Sequence, residues 1–259
     1  MYKQYFKKIK YFFFRVIFTF IKNSSQMFNL FFSNRVNIYH KNKFIFTSRN
    51  FGYIVNWRNN TFSTKEISVI KWIDQFKEDE IFLDIGANIG LYSLYAGYKK
   101  INVIAIEPHP LNYAVLTSNI LDNKMQKNII ALQISAHSEN KISKLYMEKL
   151  KFGDSNIQFD SVVKGSNFVY SVGMKIDCVL SKLNNFIPSH IKIDVDGNEM
   201  EVLKGLEKTL SNKRLKSISI EINDKLEYNN FLLYLNQFSF KEYSDLNIYN
   251  DHQWFFLKT

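Results

Sequence analysis

At 259 residues, with 46% hydrophobic and 16% aromatic side chains, the chain is long enough for one sizeable core plus a modest extension, and global disorder is excluded. One cysteine, Cys178, excludes an internal disulfide and a thiolate zinc cluster, and His40, His109, His137, His190 and His252 share no ligand spacing; no metal is expected, and a reducing, cytoplasmic compartment is the simplest reading. The formal net charge of +10 resides in the N-terminal quarter: residues 1–65 hold twelve Lys and Arg and no acid before Glu66. The remainder is close to neutral, which argues against nucleic acid as its partner.

In chain order, residues 1–32 are basic and crowded with Phe. Their longest apolar run, Tyr11 to Ile21, is interrupted by Arg15 and falls short of the ~20 residues of a spanning helix. Phe6, Ile9, Phe13, Val16, Ile17 and Phe20 recur at helical spacing beside Lys3, Lys7, Lys8 and Lys10. This fits a helix lying on the inner face of a membrane, and equally a helix packed on the domain or on a second subunit. Oligomeric state stays open. Residues 36–60 carry short β-rich runs, Lys43 to Phe46 and Tyr53 to Val55, broken by Asn and Gly52, and read as a small antiparallel preamble. The expected division is an arm with this preamble, 1–65, and a catalytic domain, 66–259.

From Glu66 the pattern alternates. Helix 66–77, strand 81–85, helix 90–98, strand 102–106, helix 110–122 and strand 128–134 precede a β-rich insertion over 142–176. Helix 178–185, strand 191–195, helix 199–209, strand 216–222, helix 227–237 and strands 239–243 and 253–258 complete the chain. Alternation of apolar strands with helices predicts a doubly wound α/β fold, a parallel sheet covered on both faces, with an antiparallel hairpin at one edge.

Three segments carry chemistry. In IFLDIGANIGLYSLYAG, residues 81–97, a strand ends in Asp84; Gly86, Ala87, Asn88 and Gly90 then turn tightly into a helix with Tyr92 in its first turn. Such a turn lets a ligand approach the backbone and offers helix N-terminal amides to an anion. The spacing is Gly-x-Asn-x-Gly rather than Gly-x-Gly-x-x-Gly, and Asp84 would repel a pyrophosphate. Both features favour S-adenosylmethionine (SAM) over NAD, with the methionine carboxylate at the turn and Asp84 accepting from the amino end. In the second segment, residues 101–123, Glu107 ends the next strand beside Pro108, placed to accept the ribose hydroxyls of an adenosine; the alternative is an acid that caps the following helix.

The run Asp-Ile-Gly-Ala-Asn-Ile-Gly, then Glu-Pro-His-Pro-x-Asn-Tyr followed by Leu116, Asn119 and Asn123, resembles the FkbM family of methyltransferases. So does the third segment, residues 190–210, with Lys192, Asp194, Asp196, Gly197 and Glu199, then Leu203-Lys204-Gly205 and a later strand ending in Glu221. Asp196 stands where that family usually has Glu, and Lys175-Ile176-Asp177 resembles its Leu-Asp pair. The resemblance spans about residues 80–222. It implies a seven-stranded class I, Rossmann-like methyltransferase sheet, SAM as donor, and O-methylation of a sugar, glycan precursor or secondary-metabolite hydroxyl. It also implies a small-molecule or glycan acceptor as partner.

A hydroxyl is a poor nucleophile and needs a base. Asp194, on a strand expected beside that of Asp84, is the first candidate, followed by Asp196 and Glu199, whose other reading is to cap the helix from 199. His109 and His137 are rival bases. Ser135 and Ala136 occupy the positions that meet adenine in this fold, without the usual acid. Lys192 is expected to pair with Asp194 or Glu221. An RNA methyltransferase using the basic arm is the alternative, although Asn/Asp-Pro-Pro-Tyr and Pro-Cys motifs are both absent. An NAD-dependent oxidoreductase is disfavoured by the glycine spacing.

Overall fold

The computed structural model describes residues 35–161, 167–183, 186–222, 225–247 and 252–259. The expected amphipathic arm, 1–32, lies outside them. No helix among the described residues is long and apolar enough to cross a membrane.

The chain enters on an antiparallel hairpin, β1 (Arg35–His40) and β2 (Lys43–Arg49). Its two turn residues, Lys41 and Asn42, both have positive φ, 50° and 62°, the geometry whose twist matches paired strands. The free edge of β2 is satisfied by side chains. Asn123 accepts from the Thr47 amide at 2.8 Å and donates to the Thr47 carbonyl at 2.6 Å, and Asn119 accepts from the Arg49 amide at 2.8 Å. Spaced one helical turn apart, the two asparagines act as a substitute strand, which neutralises an exposed edge.

The expected strand at Tyr53–Val55 is instead the start of helix α1 (Tyr53–Thr61). Val55 and Asn59 recur at i, i+4 and are buried with the following Phe62. Burial of that stripe outweighs the strand preference of Tyr-Ile-Val. Ile38, Ile45, Phe46, Val55 and Phe62 share one core with α2 (Ile67–Ile73) and α3 (Leu91–Tyr98).

A seven-stranded sheet follows, in the order β12-β13-β11-β10-β3-β4-β5. Its parallel strands are β3 (Ile81–Ile85), β4 (Asn102–Ile106), β5 (Ile129–Leu132), β10 (His190–Ile193) and β11 (Ser217–Glu221). β13 (Gln253–Lys258) runs antiparallel between β11 and β12 (Phe240–Glu242). Side chains alternate across β3 and β4: Phe82, Val103 and Ala105 face the core under α3 and α4 (Pro110–Asp122), while Leu83, Ile85, Ile104 and Ile106 face the other core. That second face is covered by α5 (Ile176–Leu180), α6 (Glu199–Lys204), α7 (Glu207–Ser211) and α8 (Lys225–Asn236).

The expected strand 128–134 is shorter, Ile129–Leu132, and a further strand follows it. β5 stays in the main sheet, and β6 (Ser135–His137) joins β9 (Asn167–Lys175), β7 (Lys141–Met147) and β8 (Gln158–Phe159) in a four-stranded sheet. The expected single helix 199–209 is likewise broken, at Gly205. A Cβ there would lie 2.2 Å from the His137 carbonyl oxygen, so the glycine lets α6 close onto β6.

Beneath the sheet, Trp72 Nε1 donates to Ser217 Oγ at 2.8 Å, Ser217 meets His190 Nδ1 at 2.7 Å, and His190 Nε2 meets Glu80 at 2.8 Å. Burial lowers the His190 pKa to about 4, so at neutral pH the ring is uncharged. With Trp72 donating, the chain runs in one direction: the Ser217 hydroxyl donates to Nδ1, and Nε2–H donates to Glu80. An unfolded histidine protonates near 6.5, so this stability is complete above that pH and declines as pH falls towards 4. Urea unfolding between pH 7 and 4 is expected to lose about 3 kcal/mol from this residue. A His190→Phe variant should show a flatter decline over that window; an unchanged slope would refute the assignment.

Candidate active site

β3 lies between β4 on one side and β10 on the other, and this reversal of winding opens a crevice at the carboxyl ends of the strands. A cavity of about 200 Å³ occupies it. Of the residues expected to bind a cofactor, Gly86, Asn88, Glu107, Pro108, Ser135 and Ala136 line this cavity. Ala87 and Tyr92 line a smaller adjoining one of about 50 Å³, which shares Gly86, Asn88 and Asp194 with the first.

Gly86 adopts φ +81°, and a Cβ on it would lie 1.8 Å from the Asp194 carbonyl oxygen. The glycine is therefore required by the close approach of the turn to the end of β10. Glu107 is 3% exposed and receives the amides of Asn88 at 2.8 Å and His109 at 2.9 Å. Burial pushes its carboxyl up to about 7 in spite of those two bonds. The same side chain thus braces the glycine turn and lines the cavity.

Five of the expected residues lie outside the cavity lining. Asp84 does not reach the cavity: it is 1% exposed, accepts from Ser93 Oγ at 2.6 Å, and stands in register with Lys192 on β10. His109 is fully buried, accepts from the Asn112 amide at 3.3 Å as the cap of α4, and is held neutral by burial. It does not line the cavity, and neither does His137, whose Nδ1 accepts from the Glu139 amide at 3.1 Å. Glu199 accepts from the Gly197 amide at 2.9 Å and closes its own loop, outside the cavity lining. Gly90 also stays outside, packed against Leu116.

Asp194 and Asp196 both line the cavity. Asp196, at φ +52°, accepts from the Ile157 amide at 3.1 Å, and burial raises its pKa. Lys192 is 1% exposed and donates to Asp194 at 2.5 Å, which settles which acid it pairs with. Burial lowers its pKa, but Asp194, Glu66 and Asp84 around it outweigh that and keep it charged. Its Nζ also lies 5.4 Å from the centre of the Tyr92 ring. Glu221, at the tip of β11, lines the same cavity and hydrogen-bonds Asp194. Burial and the Asp194 charge push Glu221 up to about 8; Asp194, despite its burial, is held low by Lys192 and by the Glu221 bond. The two carboxyls therefore share one proton across the neutral range.

A loop ahead of β8 roofs the cavity. Asn88 and Asn112 donate to the Asp154 carbonyl at 2.9 and 3.0 Å, Asn112 accepts from the Gly153 amide at 2.7 Å, and Arg58 Nε donates to the Gly153 carbonyl at 2.7 Å. Trp57 and Arg58 of α1 and Lys65 beyond it line the wall. Sequence reasoning passed over these three, because nothing local ties them to a site some 30 residues onward. The helical recurrence of Val55, Asn59 and Phe62 was the available signal.

The family model for the FkbM methyltransferase domain matches residues 84–245, more than half of the chain. The chain belongs to the FkbM methyltransferase family. Methyltransferase sdnD of Sordaria araneosa is 26% identical over 164 residues, 52% of this chain and 63% of that protein. Hexuronic acid methyltransferase AglP of Haloferax volcanii is 24% identical over 173 residues, 63% of this chain and 65% of its own length. The chain thus spans a little under two thirds of these two relatives. The methyltransferase FkbM of Methylobacillus flagellatus superposes with a TM-score of 0.46 at 18% identity, covering 71% of this chain and 44% of that one. The FkbM match contains the glycine turn, Glu107 and the Asp194–Glu221 pair; the wall of Trp57, Arg58 and Lys65 precedes it.

Proposed function

We propose that the protein transfers a methyl group from S-adenosylmethionine to a hydroxyl of a sugar, glycan precursor or secondary metabolite. The observation that carries this reading is the arrangement of one cavity: Glu107 at one side, the Gly86 turn in the middle, and the Asp194–Glu221 pair beyond it. The donor set fits the cofactor. A buried carboxylate suits a ribose diol, and the missing Cβ at Gly86 leaves room against the strand tips. The name of the Haloferax relative, a hexuronic acid methyltransferase, supports a sugar acceptor.

When bound, the cofactor supplies a methyl carbon made electrophilic by a sulfonium. The chain's own residues do the rest by alignment, exclusion of water and proton handling. Glu107 accepts from the ribose and fixes the register of the adenosine. Ser135 and Ala136 border the adenine end. The roof tied down by Asn88, Asn112 and Arg58 keeps bulk water from the reacting atoms. Asp194 and Glu221 face the acceptor, and the pair would take the hydroxyl proton at a carboxylate oxygen as the oxygen–methyl bond forms and the sulfur–methyl bond breaks, leaving the neutral thioether. Lys192 holds Asp194 in place, with Asp196 on the same rim.

Titration calorimetry with S-adenosylhomocysteine tests the cofactor half. Native protein is expected to bind it, and Glu107→Ala to bind about 10- to 100-fold more weakly, the effect of losing charged hydrogen bonds to the ribose. Equal affinity in the two proteins, or no heat with the native chain, would remove the basis of the proposal.

A further inference from the structure

The methionine tail of such a cofactor carries a carboxylate that needs donors, and the glycine turn does not supply them. The amides of Gly86 and Ala87 donate to the Ile106 carbonyl at 2.9 and 3.0 Å, that of Asn88 to Glu107 at 2.8 Å, that of Ile89 to Asn88 Oδ1 at 2.9 Å, and that of Gly90 to the Ala87 carbonyl at 2.8 Å. The five amides from Gly86 to Gly90 are therefore committed to the chain's own acceptors.

Cations share the cavities that the turn bounds. Arg58 and Lys65 line both the large cavity and the smaller one, and the smaller one is bounded by the turn itself, by Gly86, Ala87 and Asn88, and by Tyr92 on α3. Arg58 spends only Nε, on the Gly153 carbonyl at 2.7 Å. Its terminal nitrogens form no ion pair among the described residues, its charge acts on Glu107 and Asp196 across the cavity, and a guanidinium is built to hold a carboxylate through two parallel bonds. Lys65 Nζ meets Glu66 at 2.7 Å, is 5.8 Å from the centre of the Trp57 ring, and acts electrostatically on Asp194. Lys65 and Lys192 are matched in the smaller cavity by Glu66 and Asp194, which leaves the Arg58 guanidinium as the cation there with nitrogens to offer an anionic tail.

We propose that Arg58, with Lys65 beside it, binds the carboxylate of the cofactor's methionine tail in place of the glycine-turn amides. This rests on the S-adenosylmethionine reading above. It assigns cofactor recognition to a helix that precedes the span matched by the family model.

The test is calorimetry on the full chain with three probes: S-adenosylhomocysteine, decarboxylated S-adenosylmethionine and 5′-methylthioadenosine, which has no tail. For the native chain the carboxylate-bearing probe should bind most tightly. Arg58→Ala is expected to weaken S-adenosylhomocysteine about 10- to 100-fold and Lys65→Ala to weaken it less, with 5′-methylthioadenosine unchanged in both. Arg58→Lys should recover part of the loss. Unchanged affinity for S-adenosylhomocysteine in both alanine variants would overturn the inference and leave the cations to an anionic acceptor. Equal weakening of all three probes would overturn it too, marking Arg58 as an anchor for the roof alone. No heat with any probe for the native chain would sink the cofactor reading itself, and the inference with it.

Discussion

Turnover is expected to rise with pH through about 8 and to lose that rise when Glu221 becomes Gln. The reason is the pair at the tips of β10 and β11. Lys192, buried among Asp84, Glu66 and Asp194, keeps its charge and holds Asp194 ionised. Glu221, buried against that negative charge, keeps its proton until about 8. Below that pH the pair already carries one proton and is a poor base; above it both carboxyls are free and one can receive the acceptor's proton. A group whose pKa is raised is active in its ionised form above that value, so the rate climbs with pH. Glu221→Gln, which cannot ionise, should give a flat profile at a rate about 10²- to 10⁴-fold below the native plateau, the usual worth of a positioned base. S-adenosylhomocysteine affinity should stay within a few-fold. Initial rates between pH 6 and 9.5 with saturating donor read this directly, and a native profile that is flat or falling across pH 8 would exclude the pair as base.

The second large effect is expected from Gly86→Ala. At φ +81° any Cβ is strained, and this one would sit 1.8 Å from a backbone oxygen, that of Asp194. Backbone at the junction of two central strands cannot move aside as a side-chain tip can, so β3 and β10 must separate at their carboxyl ends. A cost of about 3 kcal/mol or more follows, lowering Tm by roughly 6–12 °C for a chain of this size. The cavity mouth should open at the same time, with loss of S-adenosylhomocysteine binding. Gly90→Ala makes the contrast: its Cβ would meet Leu116 Cδ1 at 2.3 Å, the end of a flexible side chain. It should cost less and preserve more binding. Equal melting temperatures for Gly86→Ala and the native chain would show that the junction yields more easily than its geometry implies.

Much of this molecule could be read from residue order. The strands β3, β4, β10 and β11 are short apolar runs bounded by turn residues. Gly86 and Gly90 mark a strand-to-helix turn because only backbone conformation is at issue there, and conformation is local. The order of Asp84, Glu107, Asp194 and Glu221 at strand ends was legible for the same reason.

What each acid touches was not. Asp84 and Lys192 lie more than a hundred residues apart and become cross-strand neighbours only when β10 inserts beside β3, which buries Asp84 outside the cavity lining. His109 and Glu199 carry the chemistry of bases but are committed to amides a few residues away. Tyr53 to Val55 would make a strand by composition, yet the helical stripe of Val55, Asn59 and Phe62 finds a core to enter and prevails. Residue order thus determined the sheet, its winding and the acids at its edge, since those depend on periodicity and turns. Tertiary structure alone decided which acids face the cavity, which proton is shared, and that Arg58 and Lys65 line the same cavities as the glycine turn. Such facts depend on distances between segments that the linear chain does not encode locally.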